Sequence, residues 1–283
     1  MIRLLMLTPG SGYREDFAWA FDIQAAALRD AGMTVEARPW TDAGDVGGFD
    51  AVLALVAWGY QLDAVGWHGL LDRLEAEARC VLNPVPVLRW NSDKAYLVEL
   101  AERGIPTIPT RRYRAFDEAA LGEARAAYGD SLVIKPPVSA GAHGTHRLGA
   151  GDGVPDDARG RDILVQPFFP AVQDEGEYSL LFFGGRFSHA LVKRPKSGDY
   201  RVQPHLGGRE APVDPPAGAV ALAQAALAAA PAPPAYARAD LLRGPDGTLR
   251  VIELELIEPA LWLDLSPGAP SAFAAAVREA IGK

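Results

Sequence analysis

The segment LRVIELELIEPALWLDL, Leu249 to Leu265, decides the fold, because Glu253, Glu255 and Glu258 stand in it among mostly apolar residues. A strand-like run, YARADLLR, precedes the segment, and the turn sequence GPDG separates the two. Two such runs around a Gly-containing turn predict a β-hairpin over residues 236–256. Charged side chains inside such a hairpin need solvent or an oppositely charged partner.

The spacing of the hairpin predicts which side chains share a face. If residues 244–247 form a four-residue loop, Arg238 lies opposite Glu253 and Asp240 lies opposite Val251, unless a bulge changes the register. One predicted face then carries Arg238, Asp240, Glu253 and Glu255, and the other carries Leu241, Ile252, Leu254 and Leu256.

This charged face has two interpretations. A half-solvated hairpin with a charged outer face explains the alternation alone equally well. Like charges side by side on a sheet are destabilising unless a cation offsets them, and carboxylate oxygens at this density suit Mg²⁺ together with nucleotide phosphates. A bound metal would therefore explain why the carboxylates lie there. Glu258 has the opposite parity along the strand and fits this face less well.

The composition narrows the class of protein. The chain has 283 residues, a formal net charge of -8 and no run of basic residues, which disfavours a nucleic-acid surface. The single cysteine, Cys80, excludes an intramolecular disulfide and fits a reducing cytoplasm. The longest apolar run, residues 51–58, is too short to span a bilayer, and residues 1–10 are typical of a first strand. We expect a cytoplasmic protein with small-molecule partners and no nucleic-acid or membrane partner.

The first 88 residues alternate strand and helix patterns, which predicts an α/β domain with a parallel sheet. They contain no G-x-G-x-x-G turn, so dinucleotide binding is not supported there. We predict a small Rossmann-like domain with strands over 2–7, 34–40, 51–58 and 80–82 and helices over 15–30 and 67–77.

The proline-containing segment NPVPVLRW marks a predicted domain boundary. Ser92 is predicted to cap a helix over 93–103 that ends at Gly104. The region beyond is predicted to be α+β, with strands over 107–109, 132–135, 163–166, 178–183 and 187–194, the hairpin, and helices over 117–128 and from residue 271.

Two lysines and a loop are candidates for binding an anion. Lys94 stands in the first turn of its predicted helix, where a cation is unfavourable unless an anion binds. Lys135 ends the apolar strand SLVIK and needs a partner if it is buried. The loop after it, PPVSAGAHGTH, could bring backbone N–H groups to phosphate oxygens. Each feature alone has an ordinary alternative, a solvated lysine or a simple hairpin loop.

The order of these motifs resembles that of the ATP-grasp superfamily. N-x-D-K, V-I-K-P, a small-residue loop, LVQPFF, GEYSL, ARAD and ELEL follow one another over residues 91–258. Within the superfamily, the chain resembles carboxylate-amine ligases of the glutathione synthetase and ribosomal-protein glutamate ligase type, and D-cycloserine-forming ligases, which share motifs in the style of KPPVSAGA and ELELIEP. The resemblance implies a pre-ATP-grasp substrate domain (1–88), a lid subdomain (89–166) and a C-terminal metal-binding subdomain (167–283).

The resemblance also implies roles for individual residues. Arg238 would steady the transferred phosphoryl group, and Arg201 would face the acyl phosphate. Asp240, Glu253 and Glu255 would hold Mg²⁺, with two ions expected and Mn²⁺ able to substitute. ATP would contact Lys94, Lys135, Ser139, Gly141, Gln166, Pro167, Phe168 and Glu177.

Two positions depart from the family pattern. Many members carry Asn where Glu255 stands and an acidic residue where Gln166 stands. The implied reaction phosphorylates a small amino-acid-like carboxylate to an acyl phosphate, which an amine then attacks, giving ADP and phosphate. An intramolecular ring closure of the cycloserine type, phosphotransfer to another acceptor and an ATP-binding regulatory protein stay open as alternatives, and the resemblance allows a homo-oligomer.

Overall fold

Residues 1–196, 198–202 and 207–282 are described by a computed structural model, in which they form three sheets with helices packed around them. The strands are β1 (Arg3–Thr8), β2 (Thr34–Pro39), β3 (Ala51–Leu53), β4 (Val81–Leu82), β5 (Arg111–Tyr113), β6 (Leu132–Lys135), β7 (His146–Leu148), β8 (Ile163–Pro167), β9 (Glu177–Phe183), β10 (Arg186–Arg194), β11 (Arg209–Pro212), β12 (Tyr236–Arg243) and β13 (Leu249–Glu255). The helices are α1 (Ala18–Asp30), α2 (Ala64–Glu77), α3 (Val85–Asn91), α4 (Tyr96–Glu102), α5 (Glu118–Tyr128), α6 (Ala171–Asp174), α7 (Ala219–Ala228) and α8 (Ala269–Ile281).

The first sheet is parallel, in the order β2-β1-β3-β4, as the strand and helix alternation predicted. Strand β3 is shorter than expected and ends at Leu53, because the chain turns where Ala57 N donates to Ala54 O. This turn carries Trp58 away from the sheet. Helix α1 begins at Ala18 rather than at residue 15, since the Asp16 side chain accepts a hydrogen bond from Ala18 N at the helix start.

The second sheet is antiparallel, in the order β11-β10-β9-β12-β13, and contains the predicted hairpin. The predicted register was wrong by two residues: Arg238 pairs with Glu255, and Asp240 pairs with Glu253. Arg243 pairs with Leu249, so the loop is one residue longer than predicted, and a bulge between Asp240 and Leu241 adds the second residue. The charged side chains still share a face. The bulge moves Ile252 onto that face, where it packs with Leu242 and not with Leu254.

The third sheet is antiparallel, in the order β5-β8-β6-β7, and helix α5 covers it through the core around Phe116 and Ile134. Asp117 caps α5 by accepting a hydrogen bond from Ala120 N. The predicted strand over 107–109 is a single bridge between Thr107 and Val251, and the chain enters the sheet only at β5.

The segment around Lys94 also differs from the prediction. Ser92 ends α3 and does not cap the next helix, because its hydroxyl donates to Leu88 O and accepts a hydrogen bond from Trp67 Nε1. Helix α4 begins only at Tyr96. Lys94 therefore lies between two helices, where its backbone N donates to Pro137 O and brings it next to the loop after β6.

The parallel and antiparallel sheets are joined through a shared core and a buried polar residue. Met6, Phe183 and Phe273 belong to one apolar cluster that links β1, β9 and α8. The Asn83 side chain is fully buried and donates to the carbonyls of Tyr236 and Leu256, at 2.9 and 2.8 Å. These contacts fix the first sheet against the hairpin. Among the described residues, no helix combines the length and hydropathy needed to cross a bilayer.

Candidate active site

A cavity of about 500 Å³ lies where the three sheets meet. Its wall includes every residue that the sequence assigned to a catalytic, nucleotide-binding or metal-binding role. Those residues come from segments far apart in the chain, which the order β9-β12-β13 and the loop after β6 bring together. The cavity has an apolar slot, a charged middle and an aromatic end.

The apolar slot lies between the third sheet and the bulged hairpin. Ile108, Phe168, Val172, Val202 and Leu242 form one buried cluster there. Its other contributors are Phe169, with Val133, Tyr200 and Ile252 at its edge.

The predicted hinge segment crosses this slot in strand β8. Gln166 is buried and its amide donates to Thr110 Oγ1 at 3.0 Å, so its side chain is already bound. Pro167 and Phe168 follow it along the cavity wall. The Arg147 guanidinium lies 3.6 Å from the centre of the Phe168 ring, a cation–π contact that fixes this ring. The slot suits a flat, apolar group such as a purine.

The charged middle contains an ion-pair network centred on Asp240. Asp240 accepts hydrogen bonds from Ser179 Oγ, Lys193 Nζ and both the Nε and an Nη of Arg238. Lys193 also pairs with Glu177, and Arg238 pairs with Glu255. Burial would raise the pKa of Asp240, but Arg238 and Lys193 outweigh burial and hold it below its ordinary value.

A second ion pair joins Lys94 to Glu253 at 2.8 Å. The Lys94 ammonium also donates to Ser139 O, which ties it to the loop after β6. Burial alone would lower the pKa of Lys94, but Glu253 offsets this and the net shift is upward. Lys94 is therefore a permanent cation beside the loop.

Lys135 has no ion pair with any described residue, although it faces the same cavity. Burial lowers its pKa to about 8, an effect that Glu253 partly offsets and Lys94 reinforces. A buried amine in this state gains a proton when an anion binds next to it. Lys135 lies where the apolar slot meets the carboxylates.

Two carboxylates of the cavity, Glu255 and Glu258, keep their protons to a higher pH than ordinary carboxylates do. Burial raises the pKa of Glu255 to about 7, with Glu253 and Asp240 adding to the shift against the opposing Arg238. Burial and Glu255 raise the pKa of Glu258 to about 8. Glu258 lines the cavity despite its parity, because the chain leaves the strand after Glu255.

These carboxylates form no ready-made metal cluster. Within the described ranges, no group of three or more His, Cys, Asp or Glu residues is arranged to hold a metal ion. Glu253 and Glu255 keep 26% and 24% of their side chains exposed, whereas Asp240 keeps 3% and accepts from four donor atoms. Carboxylate oxygens are donors that fit Mg²⁺ chemically, and the two glutamates are the more accessible ligands.

The loop after β6 is shaped by residues with left-handed backbone. Gly141, Ala142 and Gly144 have φ values of 59°, 62° and 65°. A Cβ on Gly144 would meet Pro136 at 2.9 Å, so a side chain there would displace the loop. Ser139 is buried and donates its hydroxyl to Pro136 O. The loop thus lines the cavity with backbone and small side chains, which is the arrangement expected of an anion-binding loop.

Arg201 lies at the rim of the cavity and is held by a neighbour. Its guanidinium pairs with Asp199 at 2.9 Å, and its side chain is 41% exposed. It is thus available to a ligand through its remaining N–H groups. Cys80 is partly buried in the core of the first sheet and does not line the cavity.

Aromatic side chains line another part of the cavity, its aromatic end. Trp58 stacks near Tyr13 and Trp19, with ring centres 6.4 and 5.8 Å away, and its Nε1 donates to Glu258 O. The other wall residues there are Glu15, Gln61, Leu62, Glu210, Ala260 and Trp262. Most of them come from loops and short turns, whereas Glu210 lies in β11. For Glu210 and Trp262, the tryptophan beside the glutamate strand, in the segment ALWLDL, was the one signal in the sequence.

Comparison with known proteins identifies the family of this chain. Residues 11–83 match the family described as D-cycloserine synthetase DcsG, N-terminal domain. The cycloserine biosynthesis protein DcsG of Streptomyces lavendulae is 32% identical over 274 residues, which cover 89% of this chain and 91% of that protein. The crystal structure of D-cycloserine synthetase DcsG has a TM-score of 0.85 at 28% identity and covers 99% of both chains.

More distant structures share the fold. D-alanine–D-alanine ligase from Bacillus anthracis has a TM-score of 0.72 at 16% identity, covering 99% of this chain and 97% of that one. The ATP-grasp ligase PsnB, in complex with a minimal precursor, Mg and ADP, has a TM-score of 0.66 at 15% identity, covering 99% and 98%. The predicted fold class and family are thereby confirmed. The chain belongs to the ATP-grasp ligases, in the family that contains DcsG, and is an ATP-dependent ligase.

Proposed function

We propose that the protein uses Mg-ATP to activate a small, amino-acid-like carboxylate as an acyl phosphate, which an amine or similar nucleophile then attacks. The observation that carries this proposal is Lys135, a partly buried lysine that lines the cavity and has no ion pair in the described part of the chain. It lies between an apolar slot that suits adenine and a cluster of carboxylates that suits Mg²⁺. A nucleoside triphosphate matches all three features: its base suits the apolar slot, its phosphates suit the lysine, and its bound Mg²⁺ suits the carboxylates.

The nucleotide is proposed to bind with its base in the apolar slot. The backbone of residues 166–168 would receive the adenine, and Glu177 would reach the ribose by the resemblance given above. Lys94 and Lys135, with the backbone of Ser139 and Gly141, would contact the phosphates. The support for these contacts is that the buried Lys94, the partly buried Lys135 and a loop with left-handed backbone all line one cavity.

The metal is proposed to be Mg²⁺, held by Glu253 and Glu255 with Asp240. When bound, it would neutralise negative charge on the nucleotide phosphates. The raised pKa values of Glu255 and Glu258 support this, because they mark carboxylates that lack enough positive charge nearby. Two ions, and replacement by Mn²⁺, remain part of the proposal.

The chemistry requires no nucleophilic side chain. A substrate carboxylate oxygen would attack the γ-phosphorus, and the bond from that phosphorus to the bridging oxygen of ADP would break. The amine would then attack the acyl carbon and expel phosphate, losing a proton. Arg238 and Arg201 would stabilise the charge on the transferred group, and the walls of the cavity would orient the reactants.

An intramolecular ring closure is the second candidate, and the similarity to DcsG over nearly the whole chain favours it. In that case one substrate would carry both the carboxylate and the nucleophile. The division into a substrate domain (1–88), a lid (89–166) and a metal-binding part (167–283) also belongs to this proposal.

The experiment is measurement of ADP and phosphate release with Mg-ATP and pools of amino acids, hydroxy acids and ureido amino acids, with and without an added amine. We expect release with one pool, and loss of release in the double variant Glu253→Ala with Glu255→Ala. Release without added amine, with a product that contains only one substrate molecule, would favour ring closure. A phosphorylated product without ligation would indicate a kinase, and ATP binding without release in any pool would indicate a regulatory protein.

A further inference from the structure

Trp262 stands in a strained turn at the aromatic end of the cavity. Its φ and ψ are 41° and 48°, and among the described non-glycine residues only Ala142 shares a positive φ. Such a backbone persists only where its surroundings hold it. Here Leu261 and Leu263 are buried on either side, and His189 Nε2 donates to Leu261 O at 3.1 Å.

The Trp262 ring connects the charged network to an acidic residue. Its Nε1 donates to Glu210 Oε2 at 2.6 Å. The ring centre lies 5.2 Å from the Arg238 Cζ and 5.9 Å from the Lys193 Nζ, within cation–π range. Glu210 is also the direct partner of Lys193 across strands β10 and β11. One tryptophan therefore sets the position of Glu210 relative to Arg238.

The second oxygen of Glu210 has no hydrogen-bond partner among the described residues. Oε1 is buried, accepts no hydrogen bond from any described residue, and belongs to a residue that lines the cavity. A buried acceptor without a donor is unfavourable, and native proteins usually satisfy such an atom with a ligand or water. The buried Gln61 Oε1 at the same end of the cavity is likewise without a partner in the described ranges.

The Trp262 ring lies beside Glu210, and Tyr13, Trp19 and Trp58 line the same cavity. Lys193 and Arg238 are the cations near Glu210, and both contact the Trp262 ring, while Glu210 Oε1 accepts from neither. Aromatic rings beside a carboxylate favour an ammonium group over a neutral hydroxyl, through both the ring quadrupole and the charge-assisted hydrogen bond.

We propose that Glu210 Oε1 accepts a hydrogen bond from the amino group of the substrate, and that Trp262 is the positioning residue that holds Glu210 for this contact. The identification of the ligand as a carboxylic acid with an amino group rests on the proposed function. The contact selects amino acids over the matched hydroxy acids, which lack the charged donor.

The test is equilibrium binding without ATP, so that it does not depend on turnover. The probes are alanine, serine and 2,3-diaminopropionate in both enantiomers, each compared with its 2-hydroxy counterpart. We expect the wild type to bind at least one amino acid at least tenfold more tightly than its counterpart. In Glu210→Gln this preference should fall at least tenfold, with hydroxy-acid and ADP affinities changed less than threefold.

The matched control is Glu99→Gln, since Glu99 accepts a hydrogen bond from Trp90 Nε1 at 2.8 Å in the same way but does not line the cavity. It should keep the wild-type preference. Trp262→Phe keeps an aromatic ring but loses the donor to Glu210, so the preference should fall partway. In turnover assays that variant should raise KM for the amino substrate with little change in kcat.

Two outcomes overturn the proposal: a wild type that shows no amine preference with any probe pair, or a Glu210→Gln variant that keeps it. If Glu210→Gln does not fold, unchanged preference in Trp262→Phe overturns it instead. If no carboxylate elicits ADP release, the proposed function is refuted. The binding experiment still decides whether Glu210 selects an amino group, because it does not require turnover.

Discussion

Replacing Lys135 tests how the cavity binds nucleotide, because this lysine changes its charge near neutral pH. Burial lowers its pKa to about 8. A bound polyphosphate favours the charged form and would return the pKa toward its ordinary value of 10.5 or above. Nucleotide binding should therefore take up a proton at alkaline pH, and affinity should fall as pH rises.

The size of the effect follows from the protonated fraction of the free protein. With a pKa of about 8, roughly nine tenths of Lys135 carries a proton at pH 7 and roughly one tenth at pH 9. The bound form stays protonated at both values. ADP affinity should therefore fall about tenfold between them, equal to about 1.4 kcal/mol.

The assay is calorimetric titration with Mg-ADP at pH 7, 8 and 9, in pairs of buffers with different ionisation enthalpies. The heat difference between buffers gives the number of protons taken up, which should approach about 0.9 at pH 9. Lys135→Arg provides the control, because a guanidinium stays charged throughout this range. Its affinity should vary little with pH, and Lys135→Met should bind weakly at every pH.

The control also separates Lys135 from the carboxylates that titrate in the same range. Glu258, whose pKa burial and Glu255 raise to about 8, gains negative charge as pH rises and would also weaken nucleotide binding. If Lys135→Arg shows the same tenfold fall and proton uptake as the wild type, Glu258 or its neighbours cause it. The reasoning about Lys135 would then be refuted.

Three further predictions concern the metal site, the phosphoryl group and the fold. Glu253→Gln should raise the Mg²⁺ concentration needed for half-maximal ADP release by roughly tenfold or more, because a neutral amide is a weaker ligand than a carboxylate. A metal titration measures this concentration, and an unchanged value would contradict the prediction. Arg238→Lys keeps the positive charge but loses the planar, two-pronged contact with Asp240. ADP formation in a single turnover should therefore slow by roughly 10²-fold, with nucleotide affinity nearly unchanged. A normal rate would exclude Arg238 from stabilising the transferred phosphoryl group. Asn83→Ala leaves the buried carbonyls of Tyr236 and Leu256 without their donor, so the free energy of unfolding, measured with urea, should fall by about 3 kcal/mol. A fall below about 1 kcal/mol would show that water replaces the amide.

Much of the fold could be predicted because its strands have clear apolar patterns. Strand β6 has the predicted bounds, and β8, β9 and β10 differ from prediction by one residue at one end. The parallel order of the first sheet follows from its helix crossovers. Apolar periodicity cannot reveal a bulge, however, so the pairing of Asp240 with Glu253 emerged only from the structure.

Helix starts were predicted less well where side chains had competing partners. Ser92 is a typical capping residue in sequence, but its hydroxyl is bound to the preceding helix and to Trp67. The choice between these partners depends on tertiary packing, which local propensity does not contain.

The residues of the candidate site also fall into those that the sequence could identify and those that it could not. Most of the charged residues that line the cavity could be named from the sequence, because they stand at strand ends and in motifs whose order resembles that of a known superfamily. Glu210 and Trp262 could not, since they are 52 positions apart and meet only because β11 lies at the edge of the sheet near the turn after β13. A contact between residues so far apart in the chain depends on the tertiary structure and leaves no pattern in the sequence.

The most direct test of the proposed reaction follows an oxygen atom. A carboxylate substrate labelled with ¹⁸O in both carboxyl oxygens is incubated with Mg-ATP and the enzyme, and the released phosphate is analysed by mass spectrometry. An acyl phosphate places one substrate oxygen in each phosphate, so we predict one ¹⁸O per phosphate formed. Phosphate that carries no ¹⁸O would show that the carboxylate was never phosphorylated and would contradict the account.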